Sequence, residues 1–165
     1  MKELLSNLIE SLREELKQYG EMLALLDQQQ QLVTRRQTTA LPDNVNHINA
    51  QAEVLAGARA EREQRQRNLA RSLELPENTG FKVLIPKLPP DYQPLIDALV
   101  AENNELLVRV QARARQNHLL LSHCVDLMAQ LIHSIFPATK PVMYNGNGQA
   151  PGIVVPAQSL YQAVG

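Results

Sequence analysis

The chain has no tryptophan and a single cysteine among 165 residues, and aromatic residues make up only 4% of it. A lone Cys124 cannot close an internal disulfide, so no disulfide framework is expected to staple the fold. No run approaches the ~18 consecutive apolar residues that a membrane-spanning helix needs. The opening stretch, MKELLSNLIESLREELKQYG, breaks its apolar positions with acidic residues and offers no small-residue cleavage site. It therefore does not read as a signal peptide. Together these features predict a cytoplasmic protein. Charge of one sign is also missing. The formal net charge is −1, which argues against a nucleic-acid polyanion as the main partner. Strand-like alternation of useful length is absent, and no internal repeat is visible beyond a heptad-like spacing.

The usual signatures of chemistry are missing too. There is no Walker loop, no GxGxxG and no GxSxG. Metal-ligand pairs on a helix need three- or four-residue spacing. His118 and His123 are five apart, His133 lies further on, and His47 stands alone. No Glu-x-x-His occurs, so the di-iron bundle signature is lacking. Cys124 sits on an apolar arc and reads as a small packed hydrophobe rather than a nucleophile. Asp97, Glu102 and Glu105 share one helix without any sign of a buried acid–base pair. The chain is accordingly expected to be no enzyme, with no cofactor and no metal.

What is abundant is leucine, alanine, glutamine, glutamate and arginine, a mixture that favours helices. At 44% apolar residues a single core is affordable. The longest uninterrupted segment runs over 91–136 and contains no glycine. Its one proline, Pro94, falls in the first turn, where the missing N–H would be unpaired anyway. Asp91 is placed to cap the start, and Pro137 stops the end. Leu95, Ile96, Leu99, Val100, Leu106, Leu107 and Val110 cover an arc of about 140°. From Leu119 the arc widens. Leu119, Leu120, Leu121, Cys124, Val125, Leu127, Met128, Leu131, Ile132, Ile135 and Phe136 spread over about 180°. Ser122, His123, Asp126, Gln130, His133 and Ser134 fill the other side. A core-facing stripe needs little over ~100°. The surplus fits either contact with two helices at once or a landing strip for a partner helix. Asn103 and Asn117 lie near the seam and are expected to fix helix register.

Earlier in the chain, 2–36 reads as a first helix. Leu5, Leu8, Leu12, Leu16, Tyr19, Leu23 and Leu26 step by threes and fours, as a heptad seam does. Residues 38–44, TTALPDN, form a turn followed by a cap. A second helix is expected over 45–73, with a thin seam through Val45, Ile48, Ala52, Leu55 and Ala58. Its polar stretch pairs Glu61 with Arg65 and Glu63 with Arg67, so it reads as a solvated helix face. Residues 74–90, ELPENTGFKVLIPKLPP, are long for a bundle connection. Phe81, Val83, Leu84, Ile85 and Leu88 are expected to pack against the first half of the third helix. Residues 137–165 form a tail of prolines, glycines and asparagines, expected to be partly disordered. Its apolar clusters, Val142 to Tyr144, Ile153 to Val155 and Leu160-Tyr161, suit either docking or folding back. The fold class is all-α, an antiparallel three-helix bundle or coiled coil over 1–136 with long helices and that tail.

Three stretches in this order resemble the FlgN-type flagellar export chaperones, cytoplasmic helical proteins that escort hook-associated proteins to the flagellar type III secretion apparatus. Tyr19 to Leu26, followed by Gln29 and Leu32-Val33, is similar to the family's first-helix signature. EREQRQRNLARSLEL, residues 61–75, resembles its second-helix end. Tyr144-Asn145-Gly146-Asn147-Gly148 resembles its tyrosine-glycine element, with Asn145 between the tyrosine and the glycine. The resemblance implies client binding by the end of the last helix and the tail, here Leu120, Leu121, Cys124, Leu127, Met128, Leu131, Ile132, Ile135 and Phe136. It also implies export-gate docking by Tyr144. The partners would be hook-associated proteins and the export gate, with no membrane insertion and with a weak homodimer admitted. The alternative is a structural coiled-coil tether or self-associating scaffold, for which the first helix's heptad seam serves equally well.

Overall fold

The computed structural model describes residues 1–135. Three long helices carry it: α1 (Lys2–Thr34), α2 (Leu41–Ser72) and α4 (Gln93–Ile135). A one-turn helix, α3 (Phe81–Leu84), and a 3₁₀ turn (Ile85–Lys87) interrupt the second connection. A further 3₁₀ turn, Thr38–Ala40, leads into α2. The fold is all-α, and the described residues contain no strand.

The organising helix is α1, not the longest one. Both α2 and α4 lie along it, while α2 and α4 scarcely meet each other. Side chains that reach across to α1's backbone give the directions. Gln51 Nε2 donates to the Gln18 carbonyl (3.1 Å) and Asn44 Nδ2 to the Leu25 carbonyl (3.1 Å). As α2 steps back toward its start, its partner on α1 steps forward by the same amount, so the two run antiparallel. Asn103 Nδ2 donates to the Leu12 carbonyl (3.0 Å) and Asn117 Nδ2 to the Leu26 carbonyl (2.7 Å), both 91 residues apart in sequence. A constant difference means that α4 runs parallel to α1. The topology is up-down-up.

The heptad seam on α1 is real and two rows wide. Leu5, Leu12, Tyr19 and Leu26 form one buried row, and Leu8, Glu15, Met22 and Gln29 the other. Leu16 and Leu23, expected in the seam, are only half-buried at its edge. Four of the five buried residues of α4 recur every seven residues, Ile96, Asn103, Val110 and Asn117, with Leu99 beside them. Two apolar cores result. The first gathers Leu5, Leu8, Leu12, Leu69, Ile96 and Leu99, closed from outside by Leu84 and Leu88 of the second connection. That connection therefore does cover the first half of α4 through Leu84, Leu88, Phe81 and Ile85, whereas Val83, expected with them, is exposed. The second core joins Tyr19, Met22, Leu26, Ile48, Leu55 and Val110.

A polar layer separates the cores. Arg62 Nε lies 2.9 Å from Glu15 Oε2, with the two side chains only 16% and 4% exposed. The Tyr19 hydroxyl donates to the same carboxylate at 3.3 Å. Burial pushes the Tyr19 hydroxyl up to about 12, and the negative charge of Glu15 adds to the effect. Arg62 also donates to Gln66 (3.0 Å), and its guanidinium sits 6.0 Å above the Phe81 ring.

Helix ends depart from expectation in a consistent way. α1 stops at Thr34 rather than 36, and α2 at Ser72 rather than 73. Each end is closed by a residue with φ of 57°, Arg36 and Glu74. Gln37 N–H then bonds the Leu32 carbonyl (2.8 Å), and Leu75 N–H bonds the Ala70 carbonyl (2.9 Å). This is the left-handed C-terminal closure that glycine usually supplies. Arginine and glutamate in that role give no sequence signal. α2 begins at Leu41, four residues early, because Pro42 sits in its first turn, where proline is tolerated. Asn44, read as a cap, is instead a buried helical residue. α4 begins at Gln93, so Asp91 lies ahead of the helix rather than at its cap. On the polar face of α2, Arg65 pairs with Glu61 as expected (2.9 Å). Glu63 pairs instead with Arg59 (3.3 Å), and Arg67 donates to Gln64 (3.0 Å).

The polar layer yields a double-mutant test. Glu15→Ala leaves Arg62 enclosed without its carboxylate, and is expected to cost about 3 kcal/mol in urea unfolding followed by circular dichroism. Glu15→Met combined with Arg62→Leu is expected to recover most of that loss, because an apolar pair needs no compensating charge. A double variant no more stable than Glu15→Ala would show that the layer contributes in some other way.

Candidate functional site

Beyond Asn117 the surroundings of α4 change. Asn117 donates a second bond to Gln29 Oε1 (3.0 Å), one turn before α1 ends. Arg113 anchors the same region through Asp27 at 2.8 Å and through Gln30. After this point α1 has little length left, and α4 continues to Ile135. Leu120 and Leu121 are half-buried. From there on every described residue is exposed. Leu127 keeps 51% of its surface in water, Met128 61%, Leu131 53%, Ile132 58% and Ile135 59%.

Helical phase shows what this strip is. Val110 faces α1, and Met128 lies 18 residues on, five full turns at ~3.6 residues each. So Met128 is on the face that carries the bundle seam. The seam residues Ile96, Asn103, Val110 and Asn117 are followed at the same spacing by Cys124 and Leu131. The pattern runs on, but among the described residues nothing is packed against it. Contact with two helices at once, one of the two explanations for the wide arc, does not occur within residues 1–135. Contiguous exposed apolar side chains of this kind make the strip a candidate docking surface.

Eight of the nine residues expected to bind a client are therefore placed. Leu120 and Leu121 stand at the lip, and Leu127, Met128, Leu131, Ile132 and Ile135 are in the open, as is Cys124, which is therefore not the packed hydrophobe its apolar arc suggests. Phe136 and Tyr144 lie outside the described residues, as does the whole tail. Val125, left out of that set, is 54% exposed on the same face. Its place in the wide apolar arc already marks it.

A second concavity lies at the polar layer. This cleft of about 610 Å³ is floored by Leu12, Glu15 and Tyr19 and walled by Arg62, Phe81 and Val100. The Glu15 carboxylate is engaged by Arg62 and Tyr19, and Asp97 of α4 also lines the cleft. The described residues hold no cluster of three or more metal-ligating side chains. No helix among them is long and apolar enough to cross a membrane.

Fold and site together define a small helical bundle whose last helix leaves an apolar face exposed. The chain matches the FlgN protein family over residues 1–152, and it belongs to that family. With membership comes the role of a flagellar export chaperone. No curated protein and no solved structure matches the chain.

Since the strip supports no packing within residues 1–135, charge on it should be nearly neutral for stability. Leu131→Asp is expected to move the unfolding free energy by no more than about 0.5 kcal/mol. It should lower the fluorescence of a dye that reports exposed apolar surface. A loss of 2 kcal/mol or more would mean that Leu131 is buried in solution.

Proposed function

We propose that this chain acts in the cytoplasm, holding aggregation-prone terminal helices of hook-associated flagellar proteins along α4 and delivering them to the flagellar type III export apparatus. The observation that carries the reading is the exposed apolar strip from Cys124 to Ile135, continuous with the bundle seam through half-buried Leu120 and Leu121. A client's amphipathic helix would set its own apolar stripe on that face, as helices do in grooves. It would occupy the lane that α1 vacates. Phe136 and Tyr144, both outside the described residues, take the client-binding and export-gate docking roles that the family resemblance implies. Nothing in this role calls for a reaction or a cofactor.

The scaffold alternative finds less support. Its basis was the heptad seam of the first helix, and that seam is buried against α2 and α4 of the same chain. A tether built on α1 would have to unfold the bundle first.

Co-purification with purified hook-associated proteins tests the proposal. The full-length chain is expected to retain one of them. A Leu131→Asp/Ile132→Asp double variant should weaken retention by about thirtyfold or more, as loss of a central apolar anchor does. A truncation after Ala138 separates the strip's contribution from the tail's. If the full-length chain retains none of these proteins, the proposal fails.

A further inference from the structure

The inner end of the strip meets the corner where α1 stops and α2 begins. The bonds from Asn103 and Asn117 hold α4 a constant 91 residues ahead of α1. Thr34, the last residue of α1, is therefore level with Val125. Arg35 and Arg36 come next, and both are exposed. Among the described residues neither side chain has a hydrogen-bond or ion-pair partner. Arg113, a little earlier on α4, is by contrast held by Asp27 and Gln30.

Backbone groups at the corner keep the same sign. The end of α1 would carry about half a negative charge on its free carbonyls. Three of those carbonyls are taken up, since Gln31, Leu32 and Val33 accept from the N–H groups of Arg35, Gln37 and Arg36 at 2.9, 2.8 and 3.1 Å. The start of α2 has no side-chain cap bond, so its N–H groups keep about half a positive charge. Asp43, in the first turn of α2, offsets one arginine and leaves the corner positive. Residues 119–135 add one formal charge, Asp126, which lies about 160° around the helix from the seam at Val110. The strip is thus apolar along its length and positive at one end.

We infer that the strip is a polarised site, taking a client's amphipathic helix antiparallel to α4, with the C-terminal end of that helix and its acidic groups against Arg35 and Arg36. A helix C-terminus carries about half a negative charge, and each carboxylate in its last turn adds a whole one. The reverse orientation would set a half-positive N-terminus against two unpaired guanidinium groups. The end of α1 itself opposes the chosen orientation by at most about half a charge, so the arginines decide the direction. Exposed charges of this kind add little affinity. The apolar contact supplies the binding, and the corner selects which way round the helix lies. This inference rests on the strip holding a client helix, as in the proposed function, and adds its direction and the residues that read it.

Photocross-linking of the full chain to a purified hook-associated protein reads the direction. Cys124 is exposed and is the chain's single cysteine, so a benzophenone maleimide marks the inner end of the strip. Ile135→Cys in a Cys124→Ser background marks the outer end. Mass spectrometry then locates the client residue that each label captures. The label at Cys124 is expected to capture a residue about eleven positions later in the client than the label at position 135, because both helices rise equally per residue. The reverse order, or one residue captured from both ends, overturns the inference.

A charge test accompanies it. Arg35→Gln combined with Arg36→Gly removes both charges, and glycine suits the φ of 57° at position 36, so the end of α1 stays closed. Binding of the same hook-associated protein is expected to weaken about fivefold at low salt. The difference should shrink to under about twofold at 1 M salt, where the screening length is about 3 Å. Lys17→Glu combined with Lys87→Glu alters the net charge more, at exposed sites away from the strip, and is expected to stay within about twofold of the native chain at low salt. Native-like binding by the Arg35→Gln/Arg36→Gly chain at low salt overturns the inference. A client retained in the reverse order leaves the proposed function standing and removes only the direction, whereas failure of the native chain to retain any hook-associated protein removes both.

Discussion

Asn103 and Asn117 decide how far α4 overshoots α1. Each gives its amide protons to α1's side of the contact, at Leu12 and at Leu26 and Gln29, while Asn103 also bonds back to its own helix at Leu99. A purely apolar seam would let one helix slide past the other by a heptad at modest cost. Two buried amides two heptads apart remove that freedom, because any slip strands polar groups away from water. With the register fixed, the end of α1 at Thr34 falls level with Val125, about two turns past Asn117. Everything α4 carries beyond that point is left without a helix to lie on.

The same economy shapes the centre of the bundle. α2 has a thin seam in which Arg62 stands at the heptad position shared by Ile48, Leu55 and Leu69. Glu15 stands at the matching place on α1. Each would be costly alone in a core, and together they neutralise one another with Tyr19 and Gln66 as further partners. The layer divides the apolar interior into two parts. The part nearer the chain's start is closed by Leu84 of α3 and by Leu88.

The three long helices were legible because leucines recur at threes and fours over thirty or more residues, a pattern no strand could share. Even the packing of the second connection could be read from Phe81, Leu84 and Leu88, since a solvated loop has no use for them. Polar seam members were not legible. Glu15, Gln29, Asn44 and Arg62 look like surface residues until their partners are known, and those partners lie many residues away. Helix ends failed for a related reason. Arg36 and Glu74 adopt a backbone conformation normally reserved for glycine, so nothing in their identity announces a stop. The strip on α4 was visible as an excess of apolar arc. Whether that excess served a second intramolecular helix or an outside partner depended on where α1 ended, which only the asparagine register fixes.

A helix gripped along its first half and bare along its second suits a transient escort. The gripped part keeps the bare part helical and pre-ordered, so a partner need not meet that entropic cost on binding. The exposed half remains weakly held, as binding elements generally are. Amide hydrogen exchange along α4, in dilute protein with and without a hook-associated protein, tests this picture most directly. The account predicts that amides over 96–117 exchange slowly in the free chain, that those over 119–135 exchange about a hundredfold faster, and that the partner slows only the second group. Equal protection of both halves in the free chain at high dilution, or a partner that slows neither, would contradict it.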